Sequence, residues 1–261
     1  MKRHSSKKIV LIRRNVIVAI GLILCVIAIF TVINHPAIVG SHNRERIVPI
    51  YSVQRDDNAI ALTFNVTAIQ DRGTQQVMDT LNAHGVTATF FVTGDWIRAN
   101  EYLAVALIAS GHELKNLSDD HSLLRKLDPP ALYANISGCN DAIAALTGER
   151  PTMFRAPYGE YNGQIVHLVN AMGMQAVQWS IDSGDWRRLD ASAITNTVVN
   201  RAFPGAIVLL HSNLEQTVQA LDGIVQQLLD AEFSLVPLSD LLHQAEYTVS
   251  ATGKQKPVLG R

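Results

Sequence analysis

Five short stretches gather the residues able to do chemistry. Asn65 closes the apolar run of residues 60–64, and His121 lies in "GHELKNLSDDH". Arg155 lies in "FRAPYG", Asp182, Asp185 and Trp186 in "DSGDW", and His211 ends "LLH". Histidines and carboxylates together are the groups that move protons or hold a divalent metal near neutral pH. The first stretch breaks that pattern. Acid–base or metal chemistry at the end of "IALTFNV" calls for carboxylates, yet the sequence has the amide of Asn65 followed by the hydrocarbon of Val66. His84, His112, His167 and His243 have no such companions and read as structural or exposed.

The elements that must position these groups alternate along the chain. Apolar, β-rich runs at 60–65, 88–92, 112–116, 153–155, 175–181, 206–210 and 234–238 are separated by longer helical patterns such as "TQQVMDTLNAHG" and "LEQTVQALDGIVQQLLDAE". Gly85, Gly111, Gly148 and Gly173 stand where left-handed helix ends are expected, and Asp190 where an N-cap is expected. Seven strand–helix units in series predict an α/β fold with a parallel sheet, either open and doubly wound or closed as a barrel. The turn "NVTAIQDRG" holds a single glycine, which weighs against a nucleotide-binding open sheet. In a barrel, functional groups collect just past the C-terminal ends of the strands. That is where Asn65, His121, Arg155, Asp182, Asp185, Trp186 and His211 fall.

The chain has 261 residues, with 22 Lys+Arg against 23 Asp+Glu. The balance is uneven. Residues 1–14 form a basic head with Lys2, Arg3, Lys7, Lys8, Arg13 and Arg14, and no acid occurs before residue 35. Setting those six aside leaves 16 basic residues against 23 acidic ones. An acidic body excludes nucleic acid as its partner. Residues 15–34 are expected to be a transmembrane signal anchor. Their uncharged run, 16–33, rises enough at ~1.5 Å per residue to cover most of a hydrocarbon core of roughly 30 Å. The flanking cations place the N-terminus in the cytoplasm and the body outside the cell membrane. A cleaved signal peptide fits less well, because "INHPAIVG" offers a poor cleavage site. Residues 35–58, with Pro36 and Pro49, read as a linker, 59–246 as the body, and 247–261 as a flexible tail. Cys25 in the span and Cys139 in the body cannot pair, and Cys139 reads as a small packing residue.

Several of these stretches resemble the polysaccharide deacetylases that carry a NodB homology domain. "GHELKNLSDDH" is similar to that family's GHEIGNHTxxH segment, "FRAPYG" to RxPY, "DSGDW" to DxxDW and "IVLLH" to LxH. The resemblance runs from about residue 59 to 242. It implies a distorted (β/α)7 barrel that removes acetyl groups from N-acetylglucosamine polymers such as peptidoglycan or chitin, hence a cell-envelope glycan as partner. It implies His211 as general acid, Asp185 as the group tuning it, and Arg155 as the orienter of a strand-end carboxylate. The Tyr158 backbone N–H would help hold the oxyanion, Pro157 would shape its turn, and Trp186 and Leu209 would line the acetyl pocket.

The chain departs from the family where the chemistry is hardest. The family's TFDD supplies a general base and a metal ligand; here it reads Thr63-Phe64-Asn65-Val66. The first histidine of HxxxH is Leu117, and only His121 remains. A catalytic zinc keeps three protein ligands and an open position, which His121 alone cannot provide. The expectation is a dismantled hydrolytic centre that binds glycan and holds no cofactor. A rival keeps deacetylase activity through a zinc site rebuilt from Asp71, Asp120 and His121, with Asp119 nearby. Another makes the body a protein-interaction module. More ordinary roles compete at single residues: a buried ion pair of Arg155 with Asp182 or Asp185, and core packing for Trp186 and His211.

Overall fold

The computed structural model describes residues 47–258. The basic head, the expected transmembrane segment and the first part of the expected linker lie outside the described residues. Within the described residues no helix is long and apolar enough to cross a membrane. In chain order the first half contains β1 (Ser52–Val53), β2 (Ala59–Val66), α1 (Gly73–Ala83), β3 (Thr89–Val92), α2 (Gly94–Ala99), α3 (Glu101–Ala109), β4 (Glu113–Asn116) and α4 (Pro129–Thr147). Then come β5 (Met153–Phe154), α5 (Gly163–Ala171), β6 (Gln175–Ala176), β7 (Ile181–Asp182), α6 (Ala191–Val199) and β8 (Ile207–His211). The last elements are α7 (Glu215–Asp230), β9 (Ser234–Leu235), α8 (Leu238–Leu241), β10 (Tyr247–Val249) and β11 (Lys254–Pro257).

Strand β2 organises the rest. All eight of its residues are buried, as they must be in a strand covered on both faces. Ile60, Leu62, Phe64 and Val66 pack with Phe90, Val92, Val208 and Leu210 beneath the helices. Ala59 and Ala61 face an inner cluster containing Phe91, Leu117, Met153, Val177 and Ile207. Alternation along the strand then sends Thr63 and Asn65 to the inner side at its C-terminal end, and Val66 to the helix side. The main sheet runs β6-β5-β4-β3-β2-β8-β7, with β9 also pairing β2. Its pairings are parallel throughout. This is an α/β fold on a parallel half-barrel sheet.

Three local expectations need correction. Residues 175–181 do not make one strand. Gln175–Ala176 pairs with β5 and Ile181–Asp182 with β8, at opposite edges of the sheet. One straight strand cannot follow both edges of a curled sheet, so the segment splits between them. Residues 50–53, expected to be linker, fill the resulting gap. The Ile50 N–H donates to the Ala176 carbonyl at 2.8 Å, and the Val53 N–H to the Gly205 carbonyl at 2.9 Å. Ile50 and Val53 are buried, each such apolar side chain contributing ~1.5–3 kcal/mol. Gly205 has φ +85°, and a Cβ there would sit 1.9 Å from the Val53 carbonyl, so this approach requires glycine. The described part of the expected tail is also regular structure: β10 and β11 join β1 in a small sheet of order β1-β11-β10. Its anchor is polar. Gln255 is fully buried, accepting from the His243 N–H at 2.9 Å and donating to the His243 carbonyl at 3.1 Å.

Other local signals match the sequence. Gly148 ends α4 in the left-handed conformation, and Asp190 caps α6 by accepting from the Ala193 N–H at 2.7 Å. Cys139 is fully buried in the helix-facing core. Helix α2 was not expected; Thr93 caps it, accepting from the Trp96 N–H at 3.1 Å.

His112 is a buried histidine with one unmet hydrogen bond. Its Nδ1 accepts the Ala88 N–H at 3.2 Å, which fixes the proton on Nε2, and Nε2 has no partner among the described residues. Burial pushes the imidazole down from 6.5 to about 4. The unfolded chain therefore binds more protons across that window, and stability falls as pH drops through it. We expect urea denaturation to show a loss of about 2 kcal/mol from this group between pH 7 and pH 4.5. In His112→Asn that part of the pH dependence should vanish.

Candidate functional site

Arg155, just past β5, is fully buried and faces no carboxylate. Its Nη1 donates to Asn65 Oδ1 at 3.1 Å, and its Nη2 to Thr63 Oγ1 at 2.9 Å and to the Gln178 carbonyl at 3.2 Å. Nε has no partner among the described residues. The guanidinium lies 3.9 Å above the Phe91 ring centroid, which offsets part of its desolvation. Burial pushes its pKa down to about 9, still leaving a cation at neutral pH. The expected alternative of an ion pair with Asp182 or Asp185 is not made, because both acids are engaged elsewhere.

Asp185 is saturated. Its Oδ1 accepts from His211 Nδ1 at 2.8 Å and from the Trp186 N–H at 2.8 Å. Its Oδ2 accepts from the His211 N–H at 2.7 Å and from Thr217 Oγ1 at 2.7 Å. Burial opposes ionisation, but these bonds and the charge of His211 outweigh it, so the carboxyl lies below its usual range. Asp185 also fixes the His211 tautomer, leaving Nε2 as the free ring nitrogen. His211 is the register partner of Asn65 across β2 and β8, which puts both side chains at the same inner strand ends.

The loop after β4 supplies His121 under strain. Ser118 and His121 have φ of 75° and 59°. Asn116 Oδ1 holds the Ser118 N–H at 2.6 Å, and Ser118 Oγ holds the His121 N–H at 3.0 Å. The His121 ring packs on Tyr158 at 4.5 Å between centroids. Burial, and secondarily the charge of His211, lowers its pKa against the opposing pull of Asp120. Tyr158 has φ 59° in the short turn begun by Pro157. Its backbone N–H donates to no acceptor among the described residues.

Leu209 is buried on the same β8 face as His211. Trp186 is 53% exposed, so it is not core packing. Its Nε1 donates to Asp182 Oδ1 at 3.2 Å, and Arg187 lies 4.8 Å over its ring. Sequence reasoning passed over Thr63, Gln178 and Thr217. A threonine within an apolar strand was the visible sign of Thr63; the other two carried none.

The divalent metal implied by the resemblance does not fit these residues. Leu117 fills the inner core beside Phe91, and Val66 the helix-facing core. His121 is the single donor left in the matching positions. The rebuilt set does not converge either. Asp71 accepts from the Gly73 and Thr74 N–H groups at the start of α1 and from Trp96 Nε1 at 2.9 Å. Asp120 accepts from Asn135 Nδ2 at 2.7 Å, and Asp119 pairs with Arg98 at 2.9 Å. Among the described residues no group of three or more His, Cys, Asp and Glu side chains could hold an ion.

Residues 52–177 match the polysaccharide deacetylase family. A chitooligosaccharide deacetylase of Bradyrhizobium is 31% identical over 214 residues, covering 74% of this chain and 98% of its own. The peptidoglycan-N-acetylglucosamine deacetylase PgdA of Listeria monocytogenes is 34% identical over 194 residues, covering 74% of this chain and 41% of its own. This chain therefore matches about two fifths of that relative's length. The chain belongs to the polysaccharide deacetylase family. Among solved structures it is similar to a CE4 family pseudoenzyme from Bacillus anthracis, with TM-score 0.69 and 26% identity over 74% of this chain and 68% of that one. A mutant of that pseudoenzyme with restored enzymatic activity is equally similar, at TM-score 0.69 and 26% identity.

The unpaired guanidinium makes a prediction about stability. Asn65→Asp supplies Arg155 with a counter-ion and should stabilise the fold by about 1–3 kcal/mol at pH 7. Arg155 would lower the pKa of the new carboxyl. The gain should therefore be complete above the unfolded carboxyl value and disappear as pH falls through the folded one. Denaturation midpoints of both proteins from pH 3 to 7 check this.

Proposed function

We propose that this chain is a membrane-anchored, glycan-binding member of the polysaccharide deacetylase family that does not perform metal-dependent hydrolysis. One observation carries the reading: Asn65, Val66 and Leu117 present an amide and two buried hydrocarbons where the chemistry needs a base and two metal ligands. Base catalysis alone supplies roughly 10²–10⁴-fold, and a lone imidazole does not hold a catalytic zinc. The other half of the site is built: His211 on Asp185, the free Tyr158 N–H, buried Leu209, and the half-exposed rings of Tyr158 and Trp186 at the rim. Exposed aromatic faces beside hydrogen-bonding groups suit a sugar ring. The glycan is assigned as N-acetylglucosamine-containing, by relationship to the chitooligosaccharide and peptidoglycan deacetylases. The uncharged run at 16–33 behind six cations supports single-pass anchoring with the body outside the cytoplasm.

The decisive measurement pairs metal analysis with acetate release from N-acetylglucosamine oligomers. The wild-type chain should take up no stoichiometric zinc after mild chelation and release no acetate. The triple change Asn65→Asp, Val66→Asp and Leu117→His should take up about one zinc per chain. Tight zinc with turnover in the wild type would sink the proposal, and a folded triple variant that ignores zinc would show that the three positions are wrongly matched.

A further inference from the structure

Asn65 does more than remove a base: it reverses the direction of a hydrogen bond. Arg155 can only donate, so its bond at 3.1 Å assigns the acceptor oxygen of Asn65 to the buried side. The amide nitrogen must then point the other way. Nδ2 finds no acceptor among the described residues, and it is not one of the sealed, unpartnered side-chain atoms, which are His112 Nε2, Arg155 Nε and Gln178 Oε1. Asn65 keeps 4% of its surface open, at the inner strand ends it shares with His211. The floor of the mouth therefore ends in a fixed N–H donor. Beside it stands His211 Nε2, the ring nitrogen left free by the Nδ1–Asp185 bond.

A fixed N–H donor complements an acetamido group, whose carbonyl accepts. It does not complement the ammonium of a deacetylated sugar, which can only donate. That ammonium would leave Asn65 Nδ2 unmatched and would approach Arg155, a cation with no counter-ion. The two nearby acids give it little help. Asp185 receives four hydrogen bonds, and Asp182 receives the Gly184 N–H at 2.9 Å and Trp186 Nε1. Arg187 over Trp186 adds positive charge at the rim. Resting on the glycan-binding reading, we infer that the domain reads the acetylation state of its glycan, with Asn65 as the specificity-determining residue: it holds N-acetylated sugar and rejects the free amine. A site that leaves a buried donor unpaired against the wrong ligand discriminates strongly.

The test is calorimetric titration of the full chain with N-acetylglucosamine tetramer and with glucosamine tetramer, at about pH 6.5, where most of the amine is protonated. The wild type should prefer the acetylated tetramer by roughly 10–100-fold. In Asn65→Asp a carboxylate neutralises Arg155 and accepts from an ammonium, so the preference should shrink to within about threefold or invert. Equal affinity of the wild type for the two tetramers overturns the inference and leaves glycan binding standing. An unchanged preference in a folded Asn65→Asp protein removes the role of Asn65 and overturns it equally. Binding of neither tetramer overturns both this inference and the glycan-binding reading.

Discussion

A charged guanidinium sealed among strand ends without a carboxylate sets the terms for this site. Arg155 touches β2 through Thr63 and Asn65, and the segment that spans the two sheet edges through the Gln178 carbonyl. It thus fastens together three pieces of chain that converge at the mouth. Polar contacts of this kind specify geometry more than they add stability, because desolvating the charge offsets much of what the bonds contribute. The site's remaining groups keep their places around that fixed point. Asn65 is held in one orientation, and its register partner His211 is held by Asp185.

The loops around the mouth tell the same story in backbone terms. Of the five non-glycine residues at positive φ among the described residues, Ser118, His121, Tyr158 and Arg188 lie in loops after β4, β5 and β7, and Glu232 lies elsewhere. Such conformations cost of order 1–3 kcal/mol each and persist where surrounding contacts over-determine them. Here they occur beside Val66 and Leu117, which are hydrocarbon packing.

Much of this was legible in the sequence because its signals are local. The eight-residue run of β2, the glycine helix ends and the order of strand and helix follow from burial and backbone rules that act over a few residues. The groups at the strand ends could be placed on one face for the same reason. What could not be read depends on partners distant in the chain. The division of residues 175–182 between two edges follows from the curl of the whole sheet. Ile50 and Val53 look like linker until the gap they fill exists, and Gln255 looks like tail until His243 comes to meet it. The polarity of Asn65 was hidden in the same way: the letter gives an amide, and only Arg155 decides which end faces out.

The small sheet that joins the two ends of the body has a mechanical meaning. Strand β1 lies parallel to β11, and the bonds from the Tyr51 N–H to the Gly253 carbonyl and from the Gln54 N–H to the Gln255 carbonyl, each 2.8 Å, run across the chain's direction of entry. A pull on the residues before β1 meets these bonds side by side, in shear, and passes through Val53 to Gly205 at the foot of β8. The strand ends that carry Asn65, Arg155 and His211 lie at the other end of the sheet. A pull applied ahead of β1 is therefore borne by the base of the domain, away from the strand ends that carry these side chains.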